Sequence, residues 1–80
     1  MGTTSTSKAF AARFLQACDD SPDIPPYGRG RQTYIAQKMG VSQEATRKWF
    51  AGDSMPKNEK SRVLADLLNV DHAWLMLGET

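Results

Sequence analysis

The sequence predicts an all-α fold, a compact bundle of about five short helices. Three observations predict it. Apolar side chains recur at spacings of three and four residues in successive stretches of the chain. Gly, Pro, Asp or Asn stand between those stretches, where these residues end or begin helices. Strand-like alternation is absent from the 80 residues, and a hydrophobic content of 40% suffices for one core but not for two.

The first helix is predicted over residues 8–18. Ser7 can serve as its N-cap, and apolar side chains follow at helical spacing, with Phe10 and Phe14 expected in the core. After this helix, the segment Asp19 to Gly30 is rich in Asp, Pro and Gly and cannot hold a helix. It is therefore expected to form a semi-rigid loop.

Residues 1–7 consist mainly of Gly, Thr and Ser without an apolar run. This composition predicts a flexible N-terminal tail and neither a signal peptide nor a membrane anchor. The domain itself is expected to span residues 8–80.

Two short helices are predicted on either side of a tight turn at Gly40. The second helix starts near Gln32, and Gly40 can adopt the left-handed conformation that a helix C-terminus often requires. Ser42 can then cap the third helix, which is expected over residues 43–51. The side chains predicted to be buried by these two helices are Ile35, Ala36, Met39, Ala45, Thr46 and Trp49.

The opposite face of the third helix carries Gln43, Glu44, Arg47 and Lys48 and no large apolar side chain. Two interpretations are open. The face has the layout of the DNA-contacting helix of a helix-turn-helix. It is also compatible with an ordinary solvated surface, on which Glu44 and Lys48 form an i,i+4 ion pair.

The last third of the chain predicts two more helices. Pro56 suits the first turn of the fourth, and Asp71 can cap a short fifth helix that begins with His72, expected at the surface. The apolar segment Trp74 to Leu77 is too short to span a membrane, and it either closes the core or supplies a dimer contact. The fourth helix is expected to bury Val63, Leu64, Leu67 and Leu68.

Composition disfavours several classes of function. Cys18 and His72 are the only cysteine and histidine, so neither an internal disulfide nor a Cys/His metal site is expected, and a reduced, cytoplasmic setting fits. No carboxylates are paired at acid/base spacing, and no Gly-rich phosphate loop follows a strand. The sequence therefore predicts no enzyme, no cofactor and no small-molecule substrate.

The charges are unevenly distributed, although the net charge of the chain is only +1. Residues 27–48 hold five basic side chains and one acidic side chain, whereas the segments on either side are mildly acidic. Such a basic middle can face phosphates while the whole chain stays near neutral. Arg29 and Arg31, just before the second helix, are placed to contact backbone phosphates; a solvated loop is the alternative.

Four features together resemble the phage repressor (Cro and CI-like) helix-turn-helix family. They are Gln32 followed by Ala36 and Gly40-Val41, then Ser42-Gln43, then Trp49 to Gly52, and finally Val70 to Glu79. The resemblance spans roughly residues 8–79 and implies a lambda-repressor-like DNA-binding domain.

The resemblance also implies a DNA interface. Helix three would face the major groove, where Gln suits adenine, Arg suits guanine and Glu can accept from the amino group of cytosine. Gln32 would contact a phosphate beside the groove and support Gln43. The implied base-contacting residues are Ser42, Gln43, Glu44, Arg47 and Lys48. The candidate phosphate-contacting residues are Gln32, Thr33, Lys57 and Asn58, together with Arg29 and Arg31, which are proposed from their position before the second helix.

Two features depart from the family pattern. Thr46 stands where the family usually has Val or Ile, which brings a hydroxyl into the core; Thr can return that hydroxyl to a carbonyl one turn back. The Pro-rich segment from Asp19 to Gly30 is longer than in the shortest members.

The sequence thus predicts a sequence-specific transcriptional repressor that binds double-stranded DNA as a homodimer, at a two-fold symmetric operator with half-sites about one turn (roughly 34 Å) apart. The rival is a protein-interaction module, such as an antitoxin-like or adaptor domain on the same scaffold. The charge distribution favours DNA. Residues 78–80 resemble the start of a linker, so the chain could be the DNA-binding part of a longer repressor.

Overall fold

The computed structural model describes residues 6–78, and within that range the chain is all-α, which confirms the predicted fold class. Five helices follow one another: α1 (Thr6–Asp20), α2 (Arg31–Met39), α3 (Gln43–Ala51), α4 (Asn58–Leu68) and α5 (His72–Leu77).

The core is organised around α1, which packs against α3 and α5, while α4 packs against α2 and α5. Phe10 and Phe14 of α1 are fully buried, as their spacing predicts, and their rings stack with centroids 5.3 Å apart. Ile35, Leu64 and Leu75, from α2, α4 and α5, are fully buried in the same core cluster. Burying a side chain of this size stabilises a fold by about 1.5–3 kcal/mol, so these five residues are central to the stability of the bundle.

Helix α1 begins at Thr6, two residues before its predicted start. Ser7 therefore lies in the first turn and is not the N-cap. Its hydroxyl donates to the carbonyl of Gly52, 2.7 Å away, which ties the start of α1 to the end of α3. The rest of the predicted N-terminal tail, residues 1–5, lies outside the described residues.

Helix α4 begins at Asn58 and not at Pro56, which is buried in the segment before the helix. Proline fits an extended segment as well as a first helical turn, so its presence alone could not place the start. Leu64 and Leu68 are buried as predicted, whereas Val63 is 40% exposed. The prediction for Val63 is therefore wrong; Ala65, with 2% exposure, faces the core in its place.

Helix α5 contributes Leu75 and Met76 to the core, whereas Leu77 remains 66% exposed. Asp71 caps the helix as predicted, because its Oδ2 accepts from the N–H of Trp74 at 2.9 Å. His72 is not a free surface residue: its Nε2 lies 2.9 Å from the hydroxyl of Ser61 on α4. The middle of the apolar segment Trp74 to Leu77 thus helps to close the core, whereas its last residue, Leu77, stays in solvent.

The loop between α1 and α2 is anchored at several points. Ile24 is 6% exposed and belongs to the core. Arg31, the first residue of α2, reaches back along the loop: its Nε donates to the carbonyl of Pro25 at 2.7 Å, and its Nη2 pairs with Asp19 at 2.9 Å. These contacts hold the segment from Tyr27 to Gly30 beside the start of α2.

Candidate nucleic-acid interface

The turn between α2 and α3 is built by the two residues that the sequence singles out. Gly40 adopts a left-handed φ of 68°, and the next N–H, that of Val41, donates to the carbonyl of Ala36 at 3.0 Å. Ser42 caps α3, since its Oγ accepts from the N–H of Ala45 at 3.1 Å. The two caps fix where α2 ends and α3 begins, and hence the angle between the helices.

The inner face of α3 is buried as predicted at Thr46 and Trp49, whereas Ala45, also predicted to be buried, is half-buried. Thr46 is 0% exposed and Trp49 5% exposed. The Thr46 hydroxyl donates to the carbonyl of Gln43 at 2.8 Å and lies 3.4 Å from the carbonyl of Gln32 on α2. Its polar group is therefore satisfied inside the core by a carbonyl one turn back, as expected.

Aromatic contacts with α1 hold the C-terminal half of α3. The ring of Phe50 stacks on Phe14 with centroids 4.2 Å apart, and Trp49 meets the same ring edge-on at 6.4 Å. Such aromatic pairs contribute about 0.5–1.5 kcal/mol beyond the area that they bury. The outer face of α3 is thus presented on a rigid support.

That outer face is polar and exposed, with Gln43, Glu44, Arg47 and Lys48 in solvent beside the capping residue Ser42. Glu44 pairs with Arg47 and not with Lys48: Nε of Arg47 donates to Oε1 at 2.9 Å, and Nη2 donates to Oε2 at 2.7 Å. This hydrogen-bonded pair lowers the pKa of Glu44 and raises the pKa of Arg47. Both groups therefore stay charged at neutral pH.

Of the predicted phosphate-contacting residues other than Arg31, two share a pocket with the outer face of α3 and three are exposed elsewhere on the surface. Gln32 and Thr33 lie half-buried in the first turn of α2, and they line a pocket of about 340 Å³ together with Gln43. Arg29 is exposed in the preceding loop. Lys57 and Asn58 are exposed at the start of α4.

Arg31 differs from the expectation. It is 4% exposed, and its guanidinium is bound to Asp19 and to the carbonyl of Pro25. The prediction of a surface cation is wrong, because the partners of Arg31 lie 6 and 12 residues back along the chain and no local pattern reveals them. The basic segment 27–48 accordingly presents one cation fewer to solvent than its sequence suggests.

Tyr27 is a surface residue that sequence reasoning did not select. It is 68% exposed and lines the same pocket as Gln43 and Phe50. The guanidinium carbon of Arg31 lies 6.0 Å from the centre of its ring, a distance at which a cation and an aromatic ring attract each other. A tyrosine in an irregular loop carries no periodicity signal, so only the packing of the loop against α2 could place it here.

Other site types find little support in the described part of the chain. Residues 6–78 contain no group of three or more His, Cys, Asp or Glu side chains able to hold a metal ion. Cys18 is buried, and burial raises the pKa of its thiol to about 12. None of the five described helices is both long and apolar enough to cross a bilayer.

The fold and this surface define a helix-turn-helix domain. A profile of the helix-turn-helix family matches residues 30–75, which is more than half of the chain and includes α2, the turn, α3 and α4. The chain therefore belongs to the helix-turn-helix family, in its phage repressor type. Membership of this family supports the interpretation of the chain as a DNA-binding regulator.

A similar protein of a phage also supports this assignment. The chain is 35% identical over 68 residues to a "26 kDa repressor protein" of Escherichia phage HK022. The match covers 85% of this chain and spans 28% of that protein. No solved structure matches the chain significantly.

Proposed function

We propose that the chain is a sequence-specific DNA-binding transcriptional regulator that inserts α3 into the major groove. The observation that carries the proposal is the outer face of α3, where Gln43, Arg47 and Lys48 project into solvent while Thr46 and Trp49 hold the other side in the core. An α-helix fits the major groove, and Gln, Arg and Lys side chains discriminate the base edges displayed there.

The proposed interface has a base-contacting part and a phosphate-contacting part. The first comprises Ser42, Gln43, Glu44, Arg47 and Lys48. The second comprises Arg29, Gln32, Thr33, Lys57 and Asn58, and it omits Arg31, whose guanidinium is occupied inside the fold. The position of Gln32 and Thr33 on one pocket with Gln43 supports contact with a strand that borders the groove.

We further propose that two copies bind a two-fold symmetric operator, with half-sites about one helical turn apart. A helix of nine residues offers few base contacts, so two domains are needed for tight binding. Leu77, exposed at the end of α5, and the half-buried Trp74 are the candidate contacts between copies. The name of the phage relative supports a repressor role, and the cytoplasm of a bacterial cell, where such an operator lies, is the proposed setting.

The alternative function is that of a protein-interaction module on the same scaffold. The exposed Glu44–Arg47 pair favours it, because a patch that is neutralised internally attracts phosphates less and suits a protein partner. The two functions differ in their response to salt. Binding to DNA releases counterions, whereas the interaction of a nearly neutral chain with a protein does not do so to the same extent.

The test is a salt titration of binding to a mixed-sequence duplex. If Arg29 and Lys57, the two cations of the phosphate-contacting part, each neutralise one phosphate, the logarithm of the association constant falls with the logarithm of salt concentration with a slope of about −2 per domain. No measurable duplex binding at low salt, or a slope near zero, would overturn the DNA-binding proposal and favour the protein-interaction module.

A further inference from the structure

The pair formed by Glu44 and Arg47 divides the outer face of α3 into two functional parts. Both side chains lie on the surface one helical turn apart, with 60% and 49% of their side-chain area exposed. Each carboxylate oxygen accepts one N–H of the guanidinium. The pair is therefore a two-point contact with a fixed geometry and not a loose attraction between charges.

Counting donors shows what the pair leaves free. A guanidinium has five N–H groups: one on Nε and two on each terminal nitrogen. Glu44 takes the Nε donor and one donor of Nη2. Both donors of Nη1 and the second donor of Nη2 remain, and one donor of each nitrogen points outward at the end of the fork. That end still matches a second pair of acceptors, such as O6 and N7 of guanine.

The pairing also disfavours direct base contact by Glu44. Each of its oxygens already accepts one hydrogen bond from Arg47 and keeps one acceptor site, but a carboxylate that left Arg47 to contact a base would be repelled by the phosphates of the duplex. Bound to Arg47, it enters the groove as half of a neutral pair. Exclusion of water from the docked surface would then strengthen the two hydrogen bonds.

From this geometry we propose that Glu44 is a positioning residue: it holds the fork of Arg47 toward a guanine and contacts no base itself. The inference rests on the proposed function and refines it, because the resemblance to phage repressors implies a direct base contact for Glu44. A free Arg side chain must be ordered on binding, and a partner that orders it beforehand improves affinity by about 2- to 10-fold.

The test uses the preferred duplex recovered by selection, with every base pair of a half-site replaced in turn, and dissociation constants from fluorescence anisotropy. Arg47→Ala should abolish the preference at one G·C pair. Glu44→Ala should weaken the preference at that same pair by about 2- to 10-fold and leave the others unchanged. The double variant should match Arg47→Ala alone, because a positioning residue has no effect without the group that it positions.

Two further variants separate positioning from loss of charge or of helix stability. Glu44→Gln keeps one acceptor for the fork and should restore part of the preference at that pair. Glu59→Ala removes an exposed carboxylate from the first turn of α4, outside the proposed interface, and should leave all preferences intact.

The inference is overturned if Glu44→Ala changes the preference at a base pair that Arg47→Ala leaves intact, which would make Glu44 a base-contacting residue. It is also overturned if Glu44→Ala changes no preference. A wild-type protein that binds all duplexes equally would instead overturn the proposed function, and this inference with it. The two failures are distinguishable, because the first requires variants and the second is seen in the wild type.

Discussion

The hydroxyl of Thr46 donates to the carbonyl of Gln43, 2.8 Å away and one turn back on α3, although Thr46 is fully buried. The acceptor belongs to the helix itself and keeps its place in the backbone ladder without the hydroxyl. The core therefore tolerates this polar group without depending on it.

Thr46→Val should consequently leave the free energy of unfolding within about 1 kcal/mol of wild type, because it replaces the hydroxyl by a methyl of similar size without leaving a buried donor unpaired. Thr46→Ser keeps the hydroxyl but removes a buried methyl, and it should cost about 1 kcal/mol or more. Urea denaturation followed by circular dichroism compares the two. A valine variant less stable than the serine variant would show that the hydrogen bond is needed.

Arg31→Ala should lower the free energy of unfolding by about 1–3 kcal/mol, because it removes the two contacts that tie the α1–α2 loop to α2. Arg29→Ala is the matched control, since Arg29 is exposed in the same loop. It should leave stability unchanged and weaken binding to all duplexes alike. The opposite pattern, a stable Arg31 variant with weak DNA binding, would return Arg31 to the phosphate-contacting set.

Gly52→Ala should destabilise the domain by more than Gly28→Ala. Both residues have left-handed φ, 81° and 79°, so both substitutions carry a backbone cost of about 1–2 kcal/mol. At Gly52 an added Cβ would also lie 2.9 Å from Cγ and 3.1 Å from Cα of Lys8, whereas nothing lies within 4 Å at Gly28. Thermal unfolding of the two variants measures the difference, and equal losses would mean that α1 and α3 do not approach so closely here.

Burial should keep the thiol of Cys18 unreactive. It is 1% exposed, and its pKa is raised from 9.0 to about 12, chiefly by desolvation. At pH 8, alkylation by iodoacetamide should be at least about 100-fold slower in the folded protein than in urea, because little thiolate forms and access is blocked. Rapid labelling of the folded protein, with its circular dichroism unchanged, would contradict this burial.

The same shift predicts how stability depends on pH. Above pH 9 the unfolded thiol loses its proton while the folded thiol keeps it up to about pH 12. Ionisation thus favours the unfolded state, and the contribution of Cys18 to stability is intact below pH 9 and declines as pH rises toward 12. Cys18→Ala lacks this thiol and should show a smaller decline over that range; identical profiles would contradict the prediction.

Local patterns predicted the centre of the domain well. The turn at Gly40, the cap at Ser42 and the burial of Thr46 and Trp49 on α3 depend on contacts within a few residues, and each is found as expected. Phe10 and Phe14 could likewise be assigned to the core from spacing alone, because a helix with one apolar face must bury it.

Contacts between distant parts of the chain could not be predicted from the sequence. Ser7 reaches Gly52 across 45 positions, so a residue that looks like a cap instead joins two helices. Arg31 is buried with its guanidinium bound to Asp19, and α4 turns Ala65 to the core and Val63 to solvent. In each case the partner is set by how the helices pack, which spacing within one helix does not encode.

The central claim, that α3 contacts base edges, is tested most directly by selecting bound duplexes from a random pool with the wild-type protein and with Gln43→Ala. The wild type should recover a palindrome with half-sites about one helical turn apart. The variant should lose its preference at one or more positions, symmetrically in both half-sites. A wild-type pool without any shared motif, or one motif common to both proteins and unchanged at every position, would contradict the claim.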